Sequence, residues 1–399
     1  MSAWRSNVAI IFGSIAIGIF LFEIGLRLVG ISYPSFYKTD EYRGYALRPG
    51  AEGWSRSEGE AYIKINSVGL RDREHTKVKP ANTIRLAILG DSYAEANQVS
   101  IQDTFWAVLE RNLAKCPFLS GREVEVINFG VSGYGTAQEL MTLRHKVWDY
   151  SPDIVVLAFL TGNDVTDNFR AFGADPLRPY FEYKNGDLVL DDGFRKEVAY
   201  RARQTLLASV GYWAINYSRV VQIINAAQHK FFAYFREKPE IQDQDKSIDE
   251  ELGLDSKIYL EPSDQDWRDA WQVTERLIVL MRDEAKKHEA DFWVVTLSNA
   301  IQVHPDPSVR QAFMQRLGVS TLFYPDLRIK ALGAREGFPA LNLAQKFQLY
   351  AEQHGVFLHG FHPNLGRGHW NARGHRLAGE VIADNLCEDF LKKQNTGRL

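Results

Sequence analysis

Cysteine is nearly absent: the 399-residue chain has only Cys116 and Cys387. No Cys/His cluster falls at zinc-ligand spacing, so a structural or catalytic metal is not expected, nor is any other cofactor. An excess of either charge is missing too. The formal net charge is −3, which leaves no electrostatic footprint for nucleic acid as a partner. No internal repeat or low-complexity tract is apparent. What is present is a 45% hydrophobic composition, enough at this length for one large core or two modest ones. Two readings of the cysteines remain open. The commoner is a pair of buried free thiols. The other is a disulfide joining the first and last helices of an α/β domain, which an oxidising compartment favours.

One long apolar run opens the chain, residues 8–30, interrupted only by Glu23 and Arg27. Its uncharged part, residues 8–22, is shorter than the roughly 20 residues a membrane span prefers. Extension to Gly30 restores a spanning length, with Glu23 and Arg27 at i and i+4 able to pair on one face. Arg5 before an apolar core also suits a cleavable signal peptide, but no convincing small-residue cleavage site follows. A single N-terminal membrane anchor is expected. Arg5 precedes the span, while Lys38, Arg43 and Arg48 follow it, so positive charge alone would leave the following domain in the cytoplasm.

Residues 31–82 carry short alternating runs such as Ala61-Tyr62-Ile63-Lys64-Ile65, predicting a small β-rich lead-in. An α/β pattern then begins. Strands are predicted over 84–89, 123–129, 153–160, 291–297 and, more briefly, 339–343, with helices over 103–114, 137–150, 263–288 and 372–391. The almost continuous apolarity of 153–160 suits a strand buried on both faces. Alternation stops between about 169 and 262. This stretch holds a predicted hairpin around Asn185-Gly186, helix over 194–235 and a Glu/Asp/Gln-rich loop at 237–252. It is too long for one crossover and reads as an insertion that caps a site, lies on a membrane, or only adds packing.

Gly90-Asp91-Ser92 ends the first of these strands, and open α/β sheets carry chemistry just beyond strand carboxyl ends. A serine hydroxyl there is a nucleophile if a base takes its proton and donors stabilise the oxyanion. Gly130-Val131-Ser132-Gly133 and Gly162-Asn163-Asp164 each follow a later strand. The former is no nucleophile elbow, because Tyr134 stands where the last glycine belongs.

Four ordered blocks, Gly90-Asp91-Ser92, Asn128-Phe129-Gly130-Val131-Ser132-Gly133, Gly162-Asn163-Asp164 and His369-Trp370-Asn371-Ala372-Arg373-Gly374-His375, resemble the SGNH (GDSL-type) hydrolase superfamily. The upstream Ile65-Asn66-Ser67-Val68-Gly69-Leu70-Arg71-Asp72 looks like its membrane-anchored bacterial members. The resemblance implies a three-layer, flavodoxin-like parallel sheet of about five strands over residues 83–392. It makes Ser92 the nucleophile and His369 the general base. The Ser92 and Gly133 backbone N–H groups and the Asn163 amide become the oxyanion hole. His362, before Pro363-Asn364, imitates the family's His-Pro-Asn spelling, but His369 places Gly374-His375 at the family spacing. His375 reads as a structural residue, and Asp91 and Asp164 as residues that hold the loops. Asp167 and Asn168 read as loop-stabilising or substrate-contacting.

The family usually carries an aspartate three residues before the histidine; here that position is Gly366. A carboxylate from elsewhere, a backbone carbonyl or a Ser–His dyad could replace it. The activity implied is hydrolysis of an O-acyl ester on an envelope polysaccharide or lipid through an acyl-serine intermediate, by a domain outside the cytoplasm on a single-pass inner-membrane anchor. Two alternatives are acetyl transfer to an exopolysaccharide, as in the alginate O-acetylation proteins, and a non-catalytic glycan-binding module with a decayed site.

Overall fold

Every residue from Thr83 to Gly90 is buried, as a strand covered on both faces requires. In the computed structural model, which describes residues 2–173, 175–236 and 255–395, this strand lies inside a five-stranded sheet. The chain opens with helix α1 (Ser2–Val29), then two antiparallel hairpins, β1 (Tyr37–Asp40) with β2 (Gly44–Leu47) and β3 (Glu52–Ser55) with β4 (Ala61–Lys64). β5 (Thr83–Gly90) leads into the short helix α2 (Ser92–Glu95) and then α3 (Phe105–Leu113). β6 (Glu123–Asn128), α4 (Thr136–His145), β7 (Ile154–Leu160) and the one-turn α5 (Asp164–Asp167) follow.

The stretch expected to be an insertion holds the hairpin β8 (Tyr180–Lys184) and β9 (Asp187–Asp191) and the helices α6 (Val198–Arg203), α7 (Leu206–Tyr217) and α8 (Arg219–Arg236). Asn185 and Gly186 both have positive φ, 55° and 91°, the conformation a two-residue hairpin turn demands. The helix expected over 194–235 is thus three α-helices after a short 3₁₀ turn at Gly193–Lys196. The acidic loop expected at 237–252 lies outside the described residues. α9 (Gln265–Lys287), β10 (Asp291–Leu297), α10 (Pro307–Leu317), α11 (Tyr324–Glu336), β11 (Ala340–Asn342), α12 (Ala344–His354) and α13 (Ala372–Asn395) complete the chain.

The sheet runs β6-β5-β7-β10-β11 and is parallel throughout. Read in chain order this is 2-1-3-4-5, the flavodoxin-like winding, whose direction reverses between β5 and β7. α4, α9 and α11 cover one face, around Leu140, Trp271 and Ile329. α3, α12 and α13 cover the other, around Leu109, Phe347 and Ile382. Apolar periodicity did not single out α10, α11 and α12. Their signals are at the ends instead: Pro307 or Pro325 in the first turn, and Gly318, Gly337 or Gly355 in left-handed geometry just past the last.

The cysteines are not free thiols. Cys116, just beyond α3, is bonded to Cys387 in α13, with Cα atoms 5.7 Å apart. The two helices lie close enough that a Cβ at Gly379 would stand 2.5 Å from the Phe105 carbonyl oxygen. Sequence places the thiols 271 residues apart; only this packing makes them neighbours. In the chain-entropy model, closing so long a loop stabilises the fold by about 5 kcal/mol.

The lead-in hairpins are fused to the sheet's loop edge. Leu47, Ala61, Ile63 and Ile65 share one apolar cluster with Val131 and Tyr134, from the loop after β6. That contact positions the site described next.

Candidate active site

The Asp91 carboxylate accepts a hydrogen bond from the Tyr93 N–H at 2.9 Å, capping α2 and turning the chain sharply at the end of β5. Gly90 permits the turn to sit down on the sheet, since a Cβ there would lie 2.9 Å from Ala94 Cβ and 3.2 Å from Ala158 Cβ. Ser92 therefore opens α2 at the carboxyl edge, beside the winding reversal. Long-range bonds fix this turn. The Trp106 indole N–H and the Asn128 amide both donate to the Ala94 carbonyl, at 2.9 and 3.0 Å. The buried Arg71 guanidinium donates to the carbonyls of Glu95 and Val99. Asp72 accepts from the Asn128 N–H at 2.8 Å. The Ile65–Asp72 block singled out in the sequence thus braces the serine turn.

His369 Nε2 lies 2.8 Å from Ser92 Oγ. The imidazole packs beside the Tyr93 ring, centroids 5.0 Å apart, and the Tyr93 hydroxyl donates to the Gly368 carbonyl at 3.2 Å. His362 is exposed in the same loop, so of the two histidines His369 is the one that meets the serine. On the far side of the ring, His369 Nδ1 is 2.7 Å from Glu58 Oε1, and the His369 backbone N–H donates to Glu58 Oε2 at 3.1 Å. A carboxylate only accepts, so Nδ1 carries the proton toward Glu58 and Nε2 is left to accept from the serine hydroxyl.

Glu58 sits in the turn between β3 and β4, in the lead-in, and was not foreseen. Gly366, where the family pattern would put an aspartate, has φ +80°, and a Cβ there would meet the Phe357 ring at 2.9 Å. Gly368, at φ +71°, leaves the room Glu58 occupies, since its Cβ would stand 2.9 Å from Oε2. Partial burial disfavours the charged form of Glu58, but the hydrogen bonds and charge of His369 outweigh it and hold this carboxyl below its ordinary range. No local pattern in the Ser57-Glu58-Gly59-Glu60 turn marks this residue; only the folded hairpin does.

Gly133 lies in a loop packed on α2. Its φ is +75°, a Cβ would be 2.8 Å from the Tyr45 hydroxyl, and its carbonyl accepts from Arg178 at 3.0 Å. Glu95 is the hub of that contact, taking bonds from the Ser132 N–H and the Tyr37 hydroxyl. Asn163 precedes α5 and caps it through its carbonyl, which accepts from the Asp167 N–H at 2.8 Å. The loops of Gly133 and Asn163 are tied together. Asn168 Oδ1 accepts from the Ala137 N–H at 3.0 Å, and its amide donates to the Thr274 hydroxyl. Asp164 accepts from the Leu160 N–H at 2.8 Å, and Asp167 pairs with Arg178 at 3.3 Å. Asp91, Asp164, Asp167 and Asn168 all hold loops.

Beneath these loops Asp91, Glu139 and Asp164 are fully buried and mutually repelling. Burial first, and their neighbours' charge second for Glu139 and Asp164, push both well above the ordinary carboxyl value. Burial likewise raises Asp91 to about 6 against the Tyr93 hydrogen bond. His375 accepts from the Phe105 N–H at 3.3 Å and stacks on that ring. Burial drives it down to about 3, so it is a neutral structural residue.

No family model and no curated protein matches the chain. Solved structures similar to it include three esterase or hydrolase folds. One is described as a lipolytic protein of the G-D-S-L family, from Desulfitobacterium hafniense (11% identity, 75% of this chain and 98% of that one, TM-score 0.34). Another is a catalytic mutant of the acetylxylan esterase Axe2 from Geobacillus stearothermophilus (10%, 77% and 95%, TM-score 0.37). The third is LAE5, an alpha/beta hydrolase enzyme from a Lake Arreo metagenome (14%, 78% and 99%, TM-score 0.37). These likenesses are distant, and the fold assignment rests on the parallel five-stranded sheet itself.

Proposed function

We propose that this chain is a serine esterase of the SGNH type, and the observation that carries the reading is the unbroken line Ser92–His369–Glu58, with links of 2.8 and 2.7 Å. Ser92 Oγ attacks an ester carbonyl as His369 Nε2 takes its proton. Glu58 holds the imidazole in the required tautomer and stabilises its cation. The backbone N–H groups of Ser92 and Gly133 and the Asn163 amide receive the oxyanion. His369 then returns its proton to the leaving alcohol, and a water deprotonated by the same ring releases the acyl group from Ser92. A carboxylate bonded twice to the histidine argues against a decayed, purely glycan-binding site.

The substrate we favour is an O-acyl group on an envelope polysaccharide or lipid. α1 is long and apolar enough to cross a membrane and is unburied over its span, a property a signal sequence shares. We read residues 1–30 as a single-pass inner-membrane anchor, 31–82 as the lead-in and 83–392 as the hydrolase domain, with the insertion at about 169–262. The Cys116–Cys387 bond supports an oxidising compartment for that domain, outside the cytoplasm, against the bare count of positive charges. The test is cleavage of p-nitrophenyl acetate by the purified full chain in detergent. Ser92→Ala should lower kcat on the order of 10⁴- to 10⁶-fold, and full activity in that variant would refute the assignment.

A further inference from the structure

Among the described residues nothing covers the apolar stripe of helix α7. Leu206, Val210, Trp213 and Tyr217 fall at i, i+4, i+7 and i+11, one face of a helix, and are 82, 56, 63 and 60% exposed. Residues 198–236 contain no Asp or Glu at all, but carry Arg201, Arg203, Arg219, Lys230 and Arg236, in a chain whose net charge is −3.

This segment is fastened to α1. The Glu23 carboxylate, on α1, accepts from the Ser218 hydroxyl at 3.0 Å and from the Arg219 and Val220 N–H groups at 3.0 and 3.1 Å. It therefore caps the first turn of α8, as an anion at a helix N-terminus should. Arg27 pairs with Glu23 at 2.7 Å and donates to the Tyr217 carbonyl. Gln222 accepts from the Tyr33 N–H at 3.0 Å. The α7–α8 corner is thus fixed at the level of Glu23. At 1.5 Å per residue, Glu23 is about 25 Å along α1 from Ser6, close to the roughly 30 Å of a bilayer's hydrocarbon core. If α1 spans a membrane, the corner meets its surface.

We propose that α6–α8 is a membrane-surface platform, with the stripe of α7 seated at the boundary of an anionic phospholipid bilayer and its arginines among the phosphates. Apolar side chains with a tryptophan on one face, flanked by basic residues, are what such interfacial helices carry. The occupant is lipid rather than a protein because the corner is fastened to the unburied α1 and the helices α6–α8 themselves carry basic residues and no acidic one. The platform also orients the site. The Tyr200 hydroxyl in α6 bonds the Asp40 carbonyl at 3.2 Å, and the hairpin holding Asp40 bonds the Ser132 carbonyl through Tyr45 at 2.9 Å.

The proposal rests on the anchor reading, and one experiment separates the two. The full chain, its disulfide left oxidised, is reconstituted in phosphatidylethanolamine–phosphatidylglycerol vesicles with a fluorophore on Val210→Cys or, separately, Ile15→Cys, which lies about 12 Å along α1 from Glu23. The expected result is quenching of the Ile15 probe by deep-brominated lipid. The Val210 probe should be quenched by headgroup-level nitroxide lipid and shielded from aqueous iodide. Lipid quenching at Ile15 with a Val210 probe open to iodide would overturn the platform alone. So would quenching of Val210 as deep as that of Ile15. An Ile15 probe untouched by lipid would remove the anchor, and the platform with it. Trp213→Phe gives a label-free control: it should abolish part of the lipid-quenchable tryptophan emission, and an unchanged quench contradicts the proposal.

Discussion

Glu58 in the lead-in turn and the trio Asp91, Glu139 and Asp164 beneath the sheet-edge loops are carboxyl groups in two neighbouring regions; burial disfavours the charge of all four, but only Glu58 has a partner that outweighs it. Glu58 is only partly buried and faces an imidazole, so its charge persists. The trio is sealed from water, its members repel one another, and neither oxygen of Glu139 finds a hydrogen-bond partner among the described residues. In the triad we propose, a place beneath the same loops therefore does not choose the acid. What chooses it is a protonatable partner on one side and enough water on the other to keep the carboxylate ionised.

The comparison breaks most visibly at Glu58. Glu58→Gln keeps the shape but loses the charge and can stabilise the wrong tautomer, so kcat should fall on the order of 10³- to 10⁴-fold, with circular dichroism unchanged. A loss under tenfold would return the site to a Ser–His dyad. Next in size is Asn163→Ala, expected to lower kcat about 10²- to 10³-fold with little change in KM if its amide receives the oxyanion; a pure KM effect would reassign it to substrate binding.

Gly366→Asp tests whether the acid could have come from the position at which the motif resemblance led us to expect it. The left-handed backbone and the Phe357 ring predict a destabilisation of about 1–3 kcal/mol by denaturant titration. The double variant with Glu58→Gln should recover no activity; recovery would mean the loop can readjust. The smallest effect belongs to the buried trio. A carboxyl whose folded pKa is raised binds its proton more tightly folded than unfolded, so stability falls as pH climbs from its unfolded value near 4 through its folded one, about 6 for Asp91. Glu139→Gln removes one such group. Relative to the parent chain it should raise Tm by a few degrees at pH 8 and hardly at pH 5, with kcat within a few-fold. An equal gain at both pH values would show that Glu139 is charged in the fold.

The legibility of the chain follows the same division. Apolar runs such as residues 154–160 and 291–297 specify buried strands wherever the chain folds, because side-chain periodicity is local. Glycine spacing after β5, β6 and β7 marks loops that must approach one another closely. α10–α12 were missed because their apolar faces are weak and their signals lie in the caps.

Local apolar periodicity marked the strands and the N-terminal helix, since each depends on neighbours in the chain, while the winding class and the pairing of Ser92 with His369 were expectations carried by the resemblance of four short blocks. Tertiary structure alone decided that Cys116 meets Cys387, that Glu58 rather than any residue near His369 holds the imidazole, and that Glu23 caps a helix some 200 residues away. Those contacts come from how helices and hairpins pack, and packing distance bears no fixed relation to distance along the chain.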